Sequence, residues 1–205
     1  AFHNLLLMRN FILRARKGPT TPDFSLDDLR RVGRLEIVAH CLANALFYSQ
    51  NIRTNTTVHL VFDGPSDPPK TVRFESDQLP YLGGFDERTL AGVVQKALSV
   101  GKGLSLGEER QVDNGLFVAK KGFERVVQDH TESLYVLERR GVDIRKVTFP
   151  QDVTFVFSDH LTMPKKTAKY LRRLGAKPIC VGPQMLFASQ CIVLLHNELD
   201  RQDVW

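Results

Sequence analysis

Apolar residues in this chain come in short blocks divided by polar turns, and the blocks switch between strand-like and helix-like spacing. Residues 9–15 begin after Met8 and read as a first strand, broken by Lys17-Gly18-Pro19-Thr20-Thr21-Pro22. Leu35, Val38, Leu42, Ala45 and Leu46 recur at helical spacing and predict a helix over 34–49. Residues 57–62 are β-branched and apolar and predict a strand ending in the turn Asp63-Gly64. Val72 and Phe74 alternate within 70–75, a second short strand. Asp86 suits the N-cap of a helix over 87–99, where a negative charge complements the helix dipole. A short strand at 115–118, a helix over 122–128 and a strand at 134–137, ended by Arg139-Arg140-Gly141, follow.

Residues 153–200 are the most informative. They read as strand, loop, helix, strand, loop, helix. The first strand is Val153-Thr154-Phe155-Val156-Phe157, opening into Ser158-Asp159-His160. The second is Pro178-Ile179-Cys180-Val181, opening into Gly182-Pro183-Gln184-Met185-Leu186. Alternating strands and helices argue for an α/β fold with a mostly parallel sheet flanked by helices. In open α/β sheets, ligands bind where loops leave the carboxyl ends of the strands. Small residues at Ser158 and Gly182 let the backbone approach a ligand, and Pro183 stiffens its loop. Leu137, Val181, Leu186 and Ile192 are candidate apolar walls for a ring such as adenine. Turn and core residues of any α/β protein would give the same spacing.

At 205 residues the chain is the size of one domain, with no composition shift to mark a linker. Its net charge of +5 permits a polyanionic partner without requiring one. Three cysteines without CxxC spacing disfavour a disulfide framework or structural zinc and fit a reduced, cytoplasmic protein. No apolar run is long enough to span a membrane. GxGxxG is absent, and the glycines of 101–107 lack Walker spacing and read as a loop between helices. Residues 1–7 read as an upstream extension or a cloning remnant.

Asp159-His160 offers an acid–base pair or simply a turn cap. His196 and Asp200 stand at i and i+4, the spacing of a satisfied helical pair. Basic residues surround the first strand (Arg9, Arg14, Arg16, Lys17), and Lys165, Lys169, Arg172 and Arg173 form a stripe on one helix. Such a stripe is either a solvated face or a row of phosphate contacts.

Phe-Val-Phe-Ser-Asp-His and the later run Gly-Pro-Gln-Met-Leu-Phe-Ala-Ser-Gln-Cys-Ile-Val-Leu-Leu-His-Asn-Glu-Leu-Asp resemble the carboxyl-terminal half of the tRNA pseudouridine N1-methyltransferases. These are archaeal enzymes and their bacterial relatives within the SPOUT superfamily. Gly33-Arg34-Leu35, Asp63-Gly64-Pro65, Asp86-Glu87-Arg88 and Gly122-Phe123 extend the resemblance upstream to Met8. It implies a single domain over 8–205, with a substrate-side half to about residue 130 and a cofactor-binding half from about 131. It also implies a C-terminal trefoil knot and S-adenosylmethionine as methyl donor. The implied cofactor contacts are Leu137, Ser158, Val181, Gly182, Pro183, Gln184, Met185, Leu186 and Cys191. Asp63, Asp86 and Arg34 are the candidates for catalysis. A homodimer joined through the last helix is expected, with tRNA as substrate and no metal. Archaeal members tend to read Leu-His-Ala-x-His where this chain reads Leu186-Phe187-Ala188-Ser189-Gln190, and Ser158 replaces a usual glycine. A methyltransferase on another RNA, or a non-catalytic RNA-binding dimer, are the alternatives.

Overall fold

The structure is a computed structural model that describes residues 8–203, so the expectation for residues 1–7 falls outside the described residues. The elements run β1 (Met8–Ala15), α1 (Leu35–Leu46), β2 (Phe47–Tyr48), β3 (Asn51–Ile52), β4 (Thr56–Phe62), β5 (Lys70–Glu75), α2 (Glu87–Val100), β6 (Glu109–Asp113), β7 (Leu116–Ala119), α3 (Phe123–Gln128), β8 (Leu134–Asp143), β9 (Asp152–Ser158), α4 (Lys165–Arg173), β10 (Lys177–Cys180) and α5 (Ala188–Asp203). The main sheet has the order β10-β8-β9-β1-β4-β5-β7-β6. β10, β8, β9, β1 and β4 are mutually parallel, while β5, β7 and β6 continue the sheet antiparallel. The expected mostly parallel α/β sheet is therefore present, with an antiparallel flank. β6 was not expected: Glu-Arg-Gln-Val-Asp carries no apolar alternation, because it is an edge strand with little core to face.

Strand alternation sends side chains to two different cores. Phe11, Leu13, Phe155 and Phe157 face α1, α2 and α5, with Phe11 and Phe155 ring centroids 5.6 Å apart. Ile12, Val61 and Val156 face α3 and α4, and meet Phe123 and Leu171. Burying each such side chain contributes about 1.5–3 kcal/mol.

Three expectations are corrected. The helix from 34 stops at Leu46, where Phe47 turns extended and enters the small β2–β3 hairpin. The strand at 134–137 does not end at Gly141. Val136 pairs with Pro178 and Val142 with Ile179, so residues 137–141 bulge out of a longer β8. At Gly141 the chain crosses the Ile179 backbone so closely that a Cβ would lie 2.5 Å from the Ile179 carbonyl carbon. His196 does not rely on Asp200: its Nε2 bonds the Ala45 carbonyl at 2.9 Å and its Nδ1 lies 3.0 Å from Arg9 Nη1. Asp200 instead binds Arg9 and Arg53. Burial, with the two arginines, pushes His196 down to about 3, so it accepts from Arg9 and donates to Ala45.

Candidate functional site: a crevice at the carboxyl edge of the sheet

The β8 bulge, the loop after β10 and the first turn of α5 enclose a cavity of about 310 Å³. Leu137, Glu138 and Arg139 line one side, Ile179 to Leu186 the other, and Cys191 the floor. Eight of the nine residues expected at the cofactor site meet here, brought from three separate segments. Each has a local reason for its place. Gly182 has φ +155°, which suits glycine, and nothing lies within 4 Å of where its Cβ would be. The amides of Gly182, Gln184, Met185 and Leu186 form no hydrogen bond to another described residue. α5 starts at Ala188, three residues before Cys191, and Gln190 Oε1 accepts from the Phe187 amide at 2.9 Å, half of a capping box. That bond gives Gln190 a structural role. The Cys191 amide is committed to the Phe187 carbonyl at 3.0 Å, so its backbone donor is taken. Burial pushes the Cys191 thiol up, which suits a wall and not a nucleophile.

Ser158 lies elsewhere. It pairs in register with Arg14 and its Oγ faces Met163 Sδ at 3.6 Å, on the side of α4. Alternation puts the next residue, Asp159, on the α1–α5 side. Its side chain is fully buried, Oδ1 accepts from the Leu161 amide at 3.1 Å, and Oδ2 sits 3.2 Å from His160 Nδ1. Burial raises the Asp159 pKa; burial, helped by the Asp159 charge, also pushes Cys41 up to about 12. Asp159 and His160 therefore do face each other, which adjacency in sequence could not establish.

Of the catalytic candidates, Asp63 stands at the carboxyl end of β4, with Oδ2 accepting from Arg14 Nε at 2.9 Å. Arg14 also donates to Thr167 Oγ1 at 2.9 Å and covers the Phe123 ring. Arg34 precedes α1 with φ +59° and pairs with Glu36. The adjoining Gly33 and Gly64 both abut the Lys17 backbone, so Arg34 and Asp63 belong to loops gathered at one edge. Asp86 is not brought to them. It caps α2, accepting from the Thr89 hydroxyl at 2.7 Å and the Thr89 amide at 3.0 Å, and these bonds hold its pKa low.

A second cavity of about 280 Å³ lies on the α3 side of the sheet, lined among others by His59, Arg73, Glu109 and His130. Its charges pair with each other: Arg73 binds Glu75 and Glu109 and stacks on Phe117.

Fold and crevice define an α/β protein with a cavity of small-molecule size at the carboxyl edge of its parallel strands. The chain belongs to the family described as "Putative SAM-dependent RNA methyltransferase", which matches residues 8–204. A "Putative pseudouridine methyltransferase" of Photobacterium profundum is 41% identical over 94% of this chain and 98% of its own length. Its counterpart in Shewanella frigidimarina is 40% identical with the same coverage. Among solved structures, Nep1 of Archaeoglobus fulgidus bound to S-adenosylhomocysteine has the same fold. It is 12% identical, with a TM-score of 0.65 over 98% of this chain and 100% of that one.

Proposed function

We propose that this chain is an S-adenosylmethionine-dependent methyltransferase that methylates N1 of a pseudouridine in tRNA. The observation that carries the reading is the crevice: apolar walls at Leu137, Ile179, Val181 and Leu186, beside loop amides with no partner among the described residues. Adenosine needs both, and about 300 Å³ is the lower end of small-molecule sites. The residues present therefore fit the cofactor. When bound, it supplies a methyl carbon activated by a positive sulfur. Family membership and relatives named for pseudouridine support the substrate base.

The chain's own task is alignment. Holding N1, carbon and sulfur in line supplies several kcal/mol of the barrier reduction, up to roughly 7–11 in favourable cases. An N1–C bond forms, the C–S bond breaks, and the N1 proton passes to a base. Asp63 is the better placed of the two expected carboxylates. It sits at the carboxyl edge with one oxygen held by Arg14, whereas Asp86 is committed to its cap. Arg34, in the loop beside it, is positioned to orient the RNA. The target base has to leave its stack to reach the crevice.

Three further parts belong to this reading. Gly141 pressed on Ile179 supports a crossing of the kind a trefoil knot needs. Exposed Met185, Phe187 and Val193 beside the crevice form an apolar surface that supports a homodimer through α5. Reduced cysteines support a cytoplasmic home, and no helix among the described residues is long and apolar enough to cross a membrane.

Nucleoside mass spectrometry after incubating the protein with S-adenosylmethionine and pseudouridine-containing tRNA tests the proposal. N1-methylpseudouridine is the expected product. Cofactor binding with no methylated nucleoside would support the non-catalytic dimer instead.

A further inference from the structure

The positive charge of this chain is not spread over its surface. Residues 138–177 hold ten Lys and Arg against four Asp and Glu, while the remaining residues hold eighteen against nineteen. The whole excess therefore lies in the segment that runs from the crevice wall to β10.

Helix α4 is its centre. Five of its nine residues are Lys or Arg and none is acidic. Thr167 and Leu171 are buried against the sheet, and the opposite side presents Lys165, Lys166, Lys169, Arg172 and Arg173 to solvent. Of these, only Arg172 has an acidic partner among the described residues, Glu138 at 3.4 Å.

Arg172 and Arg173 in the last turn suit the helix dipole, but the rest of this arrangement works against the helix. Two lysines occupy the first turn, where the dipole favours acids, and no acidic residue is there to offset them. Lys165 and Lys169, and Lys169 and Arg173, are like charges at i,i+4, which is destabilising. A helix selected for stability alone would alternate its charges. Sequences break local rules of this kind mainly at functional positions.

Position adds a second argument. Thr167 joins α4 to Arg14 and, through it, to Asp63 at the carboxyl edge. At the other end Arg172 reaches Glu138, which lines the crevice. Exposed Arg139 and Arg140 on the β8 bulge extend the charge past that rim. The basic face thus borders the proposed reaction site.

We propose that the exposed face of α4, with the 139–140 bulge, is where the RNA substrate lays its phosphate backbone. The inference rests on the methyltransferase reading and names the surface that reading leaves open. Phosphate contacts fix register without reading sequence, which suits flexible lysines better than rigid recognition. An anionic lipid surface is the rival occupant. A membrane-seated helix would need Trp, Phe or Leu beside its cations, and the exposed face of α4 has none.

The test compares the full chain with the triple variant Lys165→Gln, Lys169→Gln, Arg173→Gln. A control of equal charge loss, Arg31→Gln, Lys96→Gln, Lys102→Gln, lies outside the segment. Affinity for unfractionated tRNA is measured against salt, with S-adenosylhomocysteine titrated separately. The α4 variant is expected to lower the salt slope by about 3 and to weaken tRNA binding by about 100-fold at 0.1 M salt. The control and cofactor affinity should match wild type. Equal losses in both variants, no tRNA binding by wild type, or retention on phosphatidylcholine–phosphatidylserine vesicles in place of tRNA would overturn the proposal. Cofactor binding is read independently: normal cofactor affinity with an unaffected α4 variant defeats the surface alone, and absent cofactor binding defeats the enzyme reading.

Discussion

The two cavities, about 310 Å³ and 280 Å³, are nearly equal in size and opposite in chemistry. In the crevice, Leu137, Ile179, Val181 and Leu186 give apolar walls, and the amides of Gly182, Gln184, Met185 and Leu186 have no partner among the described residues. On the α3 side, the ionic side chains satisfy one another: Arg73 is held by two carboxylates and an aromatic ring. A ligand entering the crevice gains hydrogen bonds that the empty protein does not make. One entering the polar cavity would have to break the Arg73 bonds already formed, and it is offered the unpartnered His59 Nε2 against four loop amides in the crevice. Unmet bonding capacity, not volume, separates a site from a gap between elements.

Substitutions can break that contrast. The largest effect is expected from Gly141→Ala, whose Cβ would meet the Ile179 backbone at 2.5 Å. Overpacking against backbone should destabilise the fold by about 3 kcal/mol and cost cofactor binding with it, as read by denaturant unfolding and calorimetry. Leu186→Asp places a charge on a half-exposed crevice wall. It should weaken S-adenosylhomocysteine about 100-fold, roughly 2.7 kcal/mol, with little change in melting temperature. A matched His59→Leu substitution in the polar cavity should leave cofactor affinity unchanged.

The two faces of the sheet should also differ in pH response. Asp159, just past β9 on the α1–α5 side of the sheet, is raised above its usual 3.8 by burial. Its folded form holds its proton more tightly than the unfolded chain. Its stability contribution is therefore full below about pH 4 and is lost as pH rises through the folded value. Asp159→Asn should raise the melting temperature at neutral pH and change little in acid. His59 has the opposite sign. Burial, with His130 and Arg73 nearby, pushes it well below 6.5, and its Nε2 has no partner among the described residues. Stability is lost as pH falls below 6.5, so His59→Leu should match wild type in alkali and exceed it in acid. Melting curves at several pH values check both.

Sequence periodicity located most strands and helices because the parallel strands are apolar on both faces and their flanking helices bury regular stripes. It missed β6, whose edge position requires no apolar residue. It cut β8 short because a bulge of five residues has no periodic signature. Eight of the crevice residues were legible through the family's motif, which spacing alone left open. Ser158 was placed with them although alternation turns it toward α4, and its neighbour Asp159 takes the α1–α5 side. Only the register of β9 against β1 resolves which of two neighbours points which way.

The most direct measurement is a crystal structure of the protein grown with S-adenosylhomocysteine. The account predicts density for the adenine between Leu137 and Leu186, with hydrogen bonds to amides of the 182–186 loop. Density in the His59–Arg73 cavity, or a crevice filled by its own side chains while the ligand binds elsewhere, would contradict it.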